Sequence, residues 1–458
     1  MRKSLALILA PLVILAGCGG GGGGGSSGGG SSSGGSSSSG GSSSGGNQVI
    51  ATPGPPNVET VVVDSGPTAL TTPAVNTPFI SVTLCLPATT TCQTIDHIEV
   101  DTGSMGLRIL ADAVTASSGP FNLNLPAVPD PNNSSNVLGE CIEFADGSSW
   151  GSVNMADIKL PVSGESATSV VVQVIGATSV GDPAKANPSC VPPPPLVTEN
   201  TVPSFGANGI LGIGLFINDC SSGGDCPPGN SATYYTCNAA ASCAQTTVHL
   251  QQQLPNPAVL FAKDNNGAIV ELPAVGTSGV APPLQGSLVF GIGTEANNGL
   301  GSATKLLACP GNTTAGICGI TINGKLVALG GTIAASLGGT TYLESYLDSG
   351  SNANFFPTTS IPSCLAPNQG FLCPNPAPVP ESAMLQGTDG TMLTADFSVA
   401  NADSLFMNSK FAAFSNLGGS NYSSTMPNNT VDLGLSYFYG HNVFTGFENN
   451  QGGPYFAF

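Results

Sequence analysis

From about residue 57 onward, apolar positions gather in short runs broken at Gly, Pro and Asn, the rhythm of strands rather than of helices. Val61-Val62-Val63, residues 79–84 (Phe-Ile-Ser-Val-Thr-Leu), 169–175, 287–290 and 320–322 are the clearest runs. Only residues 247–253 and 433–438 suggest short amphipathic helices. Two long stretches, 117–136 and 182–203, show neither period and need disulfides or packing to be ordered. The pattern predicts a large sandwich-like or barrel-like all-β protein.

The first 56 residues follow a different pattern. Met1-Arg2-Lys3 is a basic start, and residues 4–16 form an apolar run too short for a comfortable membrane span. The run closes on Leu15-Ala16-Gly17-Cys18. This resembles the lipobox of bacterial lipoproteins, which implies a signal peptide over residues 1–17 and lipidation of Cys18. Residues 19–46 are almost pure Gly and Ser, a flexible tether of about 30 Å average span. With the lipidated cysteine, residues 18–56 are expected to tie the body to a membrane. Gly19 after the cysteine, where sorting rules of lipoproteins place Asp for inner-membrane retention, implies the outer membrane, with the body on its periplasmic or surface face.

Composition narrows the function classes. Charged residues make up 8% of the chain, with 9 Lys+Arg against 27 Asp+Glu and a net charge of -18. A general nucleic-acid binder needs basic patches to neutralise phosphates and is excluded. Loss of Arg2 and Lys3 with the signal leaves seven basic residues and a net charge of -20. Thirteen cysteines less Cys18 leave twelve, an even number suited to an exported, disulfide-bonded protein. Near neighbours pair as Cys85/Cys92, Cys220/Cys226, Cys237/Cys243, Cys309/Cys318 and Cys364/Cys373, which leaves Cys141 with Cys190. Six bridges are expected. No Cys-x-x-Cys occurs and His97, His249 and His441 are scattered, so neither a metal site nor an organic cofactor is expected.

One motif occurs in two similar settings. Ile98-Glu99-Val100-Asp101-Thr102-Gly103-Ser104 sets an Asp at the end of an apolar run and opens a tight turn; Tyr346-Leu347-Asp348-Ser349-Gly350-Ser351 does so again. A third copy, Asp64-Ser65-Gly66, runs into Pro67 and reads as a plain turn. Downstream of the first pair member stands Asn208-Gly209-Ile210-Leu211-Gly212-Ile213-Gly214. Downstream of the second stands Val431-Asp432-Leu433-Gly434-Leu435-Ser436-Tyr437-Phe438.

These segments resemble those of pepsin-like aspartic peptidases, in which each lobe supplies an Asp-Thr/Ser-Gly-Ser/Thr turn and an apolar-apolar-Gly segment packs beneath it. Residues 286–291 resemble the opening of the second lobe and residues 443–448 the terminal strand. The chain is also similar to a bacterial lipoprotein family of undefined function. The resemblance implies a bilobal all-β fold, two β-barrel-like lobes with a cleft between them, the first over residues 57–283 and the second over residues 284–458. It implies Asp101 and Asp348 as a catalytic dyad that hydrolyses peptide bonds through an activated water, because two adjacent carboxyls share a proton and split their pKa values, as the carboxyl pairs of that family do. Gly103 and Gly350 are expected to let backbone approach the carboxyls. Thr102 and Ser349 are expected to lock the turns, and Ser104 and Ser351 to hydrogen-bond the aspartates.

Residues 142–148 align with the family's flap, a hairpin over the cleft that usually carries a Tyr near its tip. Here Phe144 stands at that place, followed by Asp146 and Gly147, and Phe donates no hydrogen bond. Trp150 either compensates or is a core or rim aromatic. Arg108, where the family often runs on to a Trp, is expected to pair with Asp112, the alternative being capture of an acidic substrate group. No basic prosegment stands between Cys18 and Asn57, so either no such restraint operates or there is little protease activity to restrain. Gly147-Ser148-Ser149-Trp150-Gly151 matches the serine-hydrolase pattern but lacks a strand-to-helix setting. A glycosidase dyad does not use this Gly-hydroxyl framing. The expected partners are a polypeptide in the cleft and a membrane through the lipid, with the protein a monomer. The rival expectation is a non-catalytic module of the same fold that holds a peptide or glycan.

Overall fold

A computed structural model of the chain describes residues 48–115, 117–181, 190–191, 197–220, 224–227, 232–240, 242–310, 321–322, 325–326, 330–420, 430–448 and 452–458. The expected signal peptide, Cys18 and the Gly/Ser tether lie outside them. Residues 48–56 are docked: the Gln48 side-chain amide donates to Leu272 O, His441 O and Asn442 Oδ1, and Ala51 N donates to Glu271 Oε2 at 2.6 Å. The chain therefore joins the body by Gln48, ahead of the tether's expected end at residue 56.

The body is mostly β, as the pattern of apolar runs requires. Pro78–Cys85 and Cys92–Asp101 form an antiparallel hairpin with one face buried, and Cys85–Cys92 staples it next to its turn. The chain turns at Asp101 and returns as Met105–Leu110. Between these two strands lies Gly209–Ile213, buried at every residue, parallel to Cys92–Asp101 and antiparallel to Met105–Leu110. Its side chains are buried on both faces of the sheet, and for that reason its sequence does not alternate. Gly212 stands opposite both Asp101 and Gly106.

The same unit is built again later. Thr340–Leu347 runs into Asp348, the chain returns as Asn354–Phe356, and Asp432–Leu433 lies between them, parallel to the first and antiparallel to the second. The first unit sits in a 17-stranded sheet and the second in a sheet of seven. The larger sheet also takes in late strands: Val58–Val63 pairs with Leu284–Phe290, and Gly267–Glu271 pairs with both Leu284–Phe290 and Asn442–Gly446.

Among the described residues, helix is confined to short turns. Of the two expected helices, 247–253 is realised as a single 3-10 turn, Leu250–Gln252, and 433–438 as strand Asp432–Leu433 followed by helix Leu435–Phe438. Among the described residues no helix is long and apolar enough to cross a membrane. Within 117–136 the chain forms the two-residue strands Gly119–Pro120 and Pro129–Asp130 before Asn133–Glu143 begins.

One large apolar cluster runs through both sheets, including Val61, Ile98, Val100, Leu211, Phe290, Leu347, Leu433 and Phe438. A second gathers Phe355, Phe371, Phe414 and Leu417. Each such side chain contributes about 1.5–3 kcal/mol on burial against about 1 kcal/mol for a typical hydrogen bond, so the clusters dominate stability and the polar contacts set geometry. Five of the expected disulfides are formed: Cys85–Cys92, Cys141–Cys190, Cys220–Cys226, Cys237–Cys243 and Cys364–Cys373. Cys309 is also disulfide-bonded, and Cys318 lies outside the described residues.

Candidate active site

Both Asp turns close on their own backbone. Gly103 N donates to Asp101 Oδ1 at 2.7 Å, and Ser104 Oγ donates to Asp101 Oδ2. Gly350 N donates to Asp348 Oδ1 at 2.8 Å, and Ser351 Oγ stands 3.3 Å from Asp348 Oδ2. The turns then exchange bonds with each other. Ser349 N donates to Thr102 Oγ1 at 2.9 Å, Thr102 N donates to Ser349 Oγ at 3.1 Å, and Ser349 Oγ donates on to Val100 O at 2.7 Å. A hydroxyl is needed at both second positions, since each accepts one amide.

The exchange brings the carboxyls of Asp101 and Asp348 into hydrogen-bond contact. Gly350 is wedged against them: a Cβ there would lie 2.7 Å from Asp101 Oδ1 and 3.3 Å from Asp348 Oδ1. Only glycine fits such an approach. Asp101, Asp348, Ser349 and Ser351 are fully buried. Burial first, then the charges of Asp101 and Asp432 and the bond from Asp101, hold the Asp348 carboxyl well above the usual carboxylate range, against the opposing donor Gly350 N.

Two further carboxyls stand near this pair and a third lies beyond them, and the motif alone does not single them out. Asp432, opposite Tyr346 and Phe355 in the sheet, accepts from Ser351 Oγ at 2.6 Å. Glu99, two residues before Asp101, and Glu199, just past the short strand Val197–Thr198, are buried as well. Burial raises all three well above the usual range. For Asp432 the charge of Asp101 adds to it, for Glu99 those of Asp101 and Asp146, and for Glu199 that of Asp146 together with a hydrogen bond to its carboxyl. The signal for two of them lies in the sequence: Glu99 and Asp432 each interrupt an apolar run that packing would otherwise fill with apolar residues. Nothing local marks Glu199.

Residues 142–148 form a hairpin. Asn133–Glu143 and Gly147–Lys159 pair antiparallel, and Phe144 N donates to Gly147 O at 2.8 Å across the turn. Phe144 is buried edge-on against Phe205, and Ala145 at the tip packs into the cluster of Ala353, Phe355 and Phe371, joining the first unit's sheet to the second's. Gly147 is required by crowding, since a Cβ there would lie 2.4 Å from Val197 O and 2.6 Å from Glu199 Cδ.

Trp150 is not a flap donor. It is fully buried edge-on to Tyr235, with Nε1 donating to Gly181 O at 3.1 Å beside the Cys141–Cys190 and Cys237–Cys243 bridges. Gly147-Ser148-Ser149-Trp150-Gly151 lies wholly in strand Gly147–Lys159, with no strand-to-helix elbow.

Arg108 does not pair with Asp112, whose carboxylate accepts from Val202 N instead. The guanidinium is fully buried and donates to Glu140 Oε1 at 2.7 Å, Asp219 Oδ2 at 3.3 Å and Met105 O at 2.6 Å. Tyr234 OH completes the network on Asp219 at 2.8 Å. A strand residue two positions inside the sheet reaches buried acids more readily than Asp112, which lies beyond the strand's end at Leu110. Asp64-Ser65-Gly66 is the plain turn expected, with Gly66 N on Asp64 Oδ1 at 2.8 Å and His97 Nε2 at 3.3 Å from the carboxylate.

Among the described residues, the one close group of three metal-type ligands is Cys364, Cys373 and Asp403. Its two sulfurs are bonded to each other and are not thiolates.

A mostly β protein with two cross-bonded Asp turns is thus defined by its geometry. The chain belongs to the family DUF3443, described as a protein of unknown function, which matches residues 53–458. Among curated proteins, nothing matches the chain.

Proposed function

We propose that the protein is a pepsin-like aspartic endopeptidase of a bacterial cell envelope, tied by a lipid on Cys18 to the outer membrane, with two β-barrel-like lobes facing a cleft. The observation that carries this reading is the reciprocal bond exchange between Thr102 and Ser349, which sets the Asp101 and Asp348 carboxyls in contact at the ends of two like-built units. Two carboxyls in contact hold one proton between them, and the assignment belongs to the pair. The ionised partner takes a proton from a water as it attacks the peptide carbonyl. The protonated partner polarises that carbonyl, and a proton then goes to the departing amine. Neither metal nor organic cofactor has a role in these steps. The five disulfides support a home outside the cytoplasm.

Hydrolysis on this reading requires the hairpin to lift, because both aspartates are fully buried and Ala145 packs against the second unit's core. That closure, with Phe144 in place of a donor, favours a second reading: a module of the same fold that holds a peptide or glycan without cleaving it.

The full-length chain in detergent, incubated with an unfolded protein from about pH 3 to 7, is expected to cleave on the acid side, where a shared-proton dyad operates. Asp101→Asn is expected to lower the rate by about 100-fold or more. Equal inertness of both proteins at every pH overturns the peptidase reading and leaves the binding module.

A further inference from the structure

The two units differ at a buried position of the strand between. Ile210 stands opposite Glu99 in the first, and Asp432 stands opposite Tyr346 in the second; each is followed by Leu-Gly, with the glycine next to the catalytic-turn aspartate in the register. An isoleucine there fills the sheet. A carboxyl there is fully buried and is costly unless it is partnered or neutral. Ser351 Oγ lies 2.6 Å from Asp432 Oδ2, while Oδ1 is buried without a hydrogen bond.

Ser351 Oγ also stands 3.3 Å from Asp348 Oδ2. A hydroxyl carries one hydrogen and accepts others, so Ser351 can donate to only one of the two carboxyls at a time. With Asp432 ionised, Ser351 is drawn to it and Asp348 loses a donor. With Asp432 protonated, its O–H donates to Ser351 Oγ, and Ser351 is free to donate to Asp348.

We propose that Asp432 is a third carboxyl of the dyad, a positioning residue that stores a proton and exchanges it with Asp348 through Ser351. When Asp348 has given up its proton, the Asp432 O–H bond breaks and its proton passes to Ser351 Oγ. The Ser351 hydroxyl proton passes in turn to Asp348 Oδ2. One O–H bond is lost at Asp432 and one is formed at Asp348, the serine is unchanged, and the negative charge has moved from Asp348 to Asp432. The titratable groups facing Asp432 are Asp348 and Asp101, from the ends of Thr340–Leu347 and Cys92–Asp101, and Tyr346, opposite it in the register; Asn354–Phe356 brings none. Among the described residues no cation is ion-paired with any of the three aspartates. Burial raises Asp432 well above the usual carboxylate range, with the charge of Asp101 acting the same way and the Ser351 bond opposing it.

The catalytic side of this role rests on the peptidase reading; the stored proton does not. Two measurements on the full-length chain separate them. Infrared pH titration is expected to show buried protonated carboxyls at pH 7, with one fewer in Asp432→Asn. In Asp348→Asn and in Ser351→Ala the Asp432 signal is expected to titrate at a different pH than in the parent, since its partner is gone. For hydrolysis of an unfolded protein, Asp432→Asn is expected to lower kcat by at least about tenfold at the alkaline limb with KM unchanged. Ser351→Ala, which keeps the carboxyl, is expected to do the same. An Asp432 ionised at pH 7, a titration indifferent to Asp348 and Ser351, or superimposable pH profiles overturns the proposal. If the parent cleaves nothing at any pH, the peptidase reading falls and the infrared titration alone decides the relay.

Discussion

The two Asp turns share a backbone plan and differ in what surrounds them. The first is propped by a cation: Arg108 reaches back to Met105 O, just past Ser104, and also donates to Glu140 and Asp219. The second has no such cation among the described residues and is backed by Asp432 through Ser351. Near the first, the charge of Asp146 from the 142–148 hairpin acts on Glu99, and the neighbouring strand is apolar throughout. The second carries its extra carboxyl in the strand itself. The duplicated plan fixes where the two carboxyls stand, and the unlike surroundings add a further charge at the second. Asp348, with Asp432 behind it, is raised well above the usual carboxylate range.

The largest way to break this comparison is to remove the prop. Arg108→Met takes a fully buried guanidinium away from two buried acids. Truncating one side of such a network leaves uncompensated charge and is expected to cost about 3–5 kcal/mol in urea unfolding at pH 7. Replacing Arg108, Glu140 and Asp219 together by apolar residues of similar volume is expected to recover most of that loss, because the cost lies in the orphaned acids. A loss below about 1 kcal/mol for Arg108→Met alone would show that the first turn does not depend on this network.

A smaller effect is expected where the two turns meet. Thr102→Val leaves Ser349 N without its acceptor, and Ser349→Ala does the same to Thr102 N. Each is expected to cost about 1–3 kcal/mol as an unsatisfied buried amide. If the two bonds act as one lock, the double variant loses less than the sum, with a coupling of about 1 kcal/mol in a double-mutant cycle. Strict additivity would mean that each turn stands independently and that the carboxyl contact is set elsewhere.

Sequence and structure agree best where a local rule has a long-range consequence. The Asp turns are legible because a turn needs Asp, a hydroxyl and Gly in a fixed order, and the strand runs because burial on one face imposes alternation. The five bridges are legible because four join near neighbours and the fifth joins the pair left over. Arg108 is not, because its partners, Glu140 and Asp219, are brought to it by strands distant in sequence, whereas Asp112, the partner expected from proximity, is four residues away. Trp150 illustrates the same limit: its place in a flap segment says nothing of Tyr235, which reaches it across a different strand pair. Glu99 and Asp432 are visible as breaks in apolar runs, but a break acquires meaning only once the register places it beside another carboxyl.

Away from both turns, a buried acid with one backbone donor and one side-chain donor, Asn442 Nδ2 at 3.0 Å, provides the contrast that sharpens the difference. Glu271 ends strand Gly267–Glu271, accepts from Ala51 N at 2.6 Å, and is pushed up to about 7 by burial, with that donor opposing the shift. No second carboxyl raises it, so it titrates within a readily reached pH range. Its folded value lies above the unfolded value of about 4.3. The stability it carries is therefore complete below that unfolded value and is lost as pH rises through 7. Glu271→Gln removes this dependence. The parent's Tm is expected to fall by about 1–2 °C more than the variant's between pH 4.5 and 8, a modest shift because the chain is large. Asp348, held well above the usual carboxylate range by burial and by the charges of Asp101 and Asp432, is expected to contribute no slope in that interval. If Glu271→Gln leaves the pH dependence of Tm unchanged while Asp348→Asn flattens it, Asp348 ionises within this range. Asp348 would then be no more strongly perturbed than Glu271.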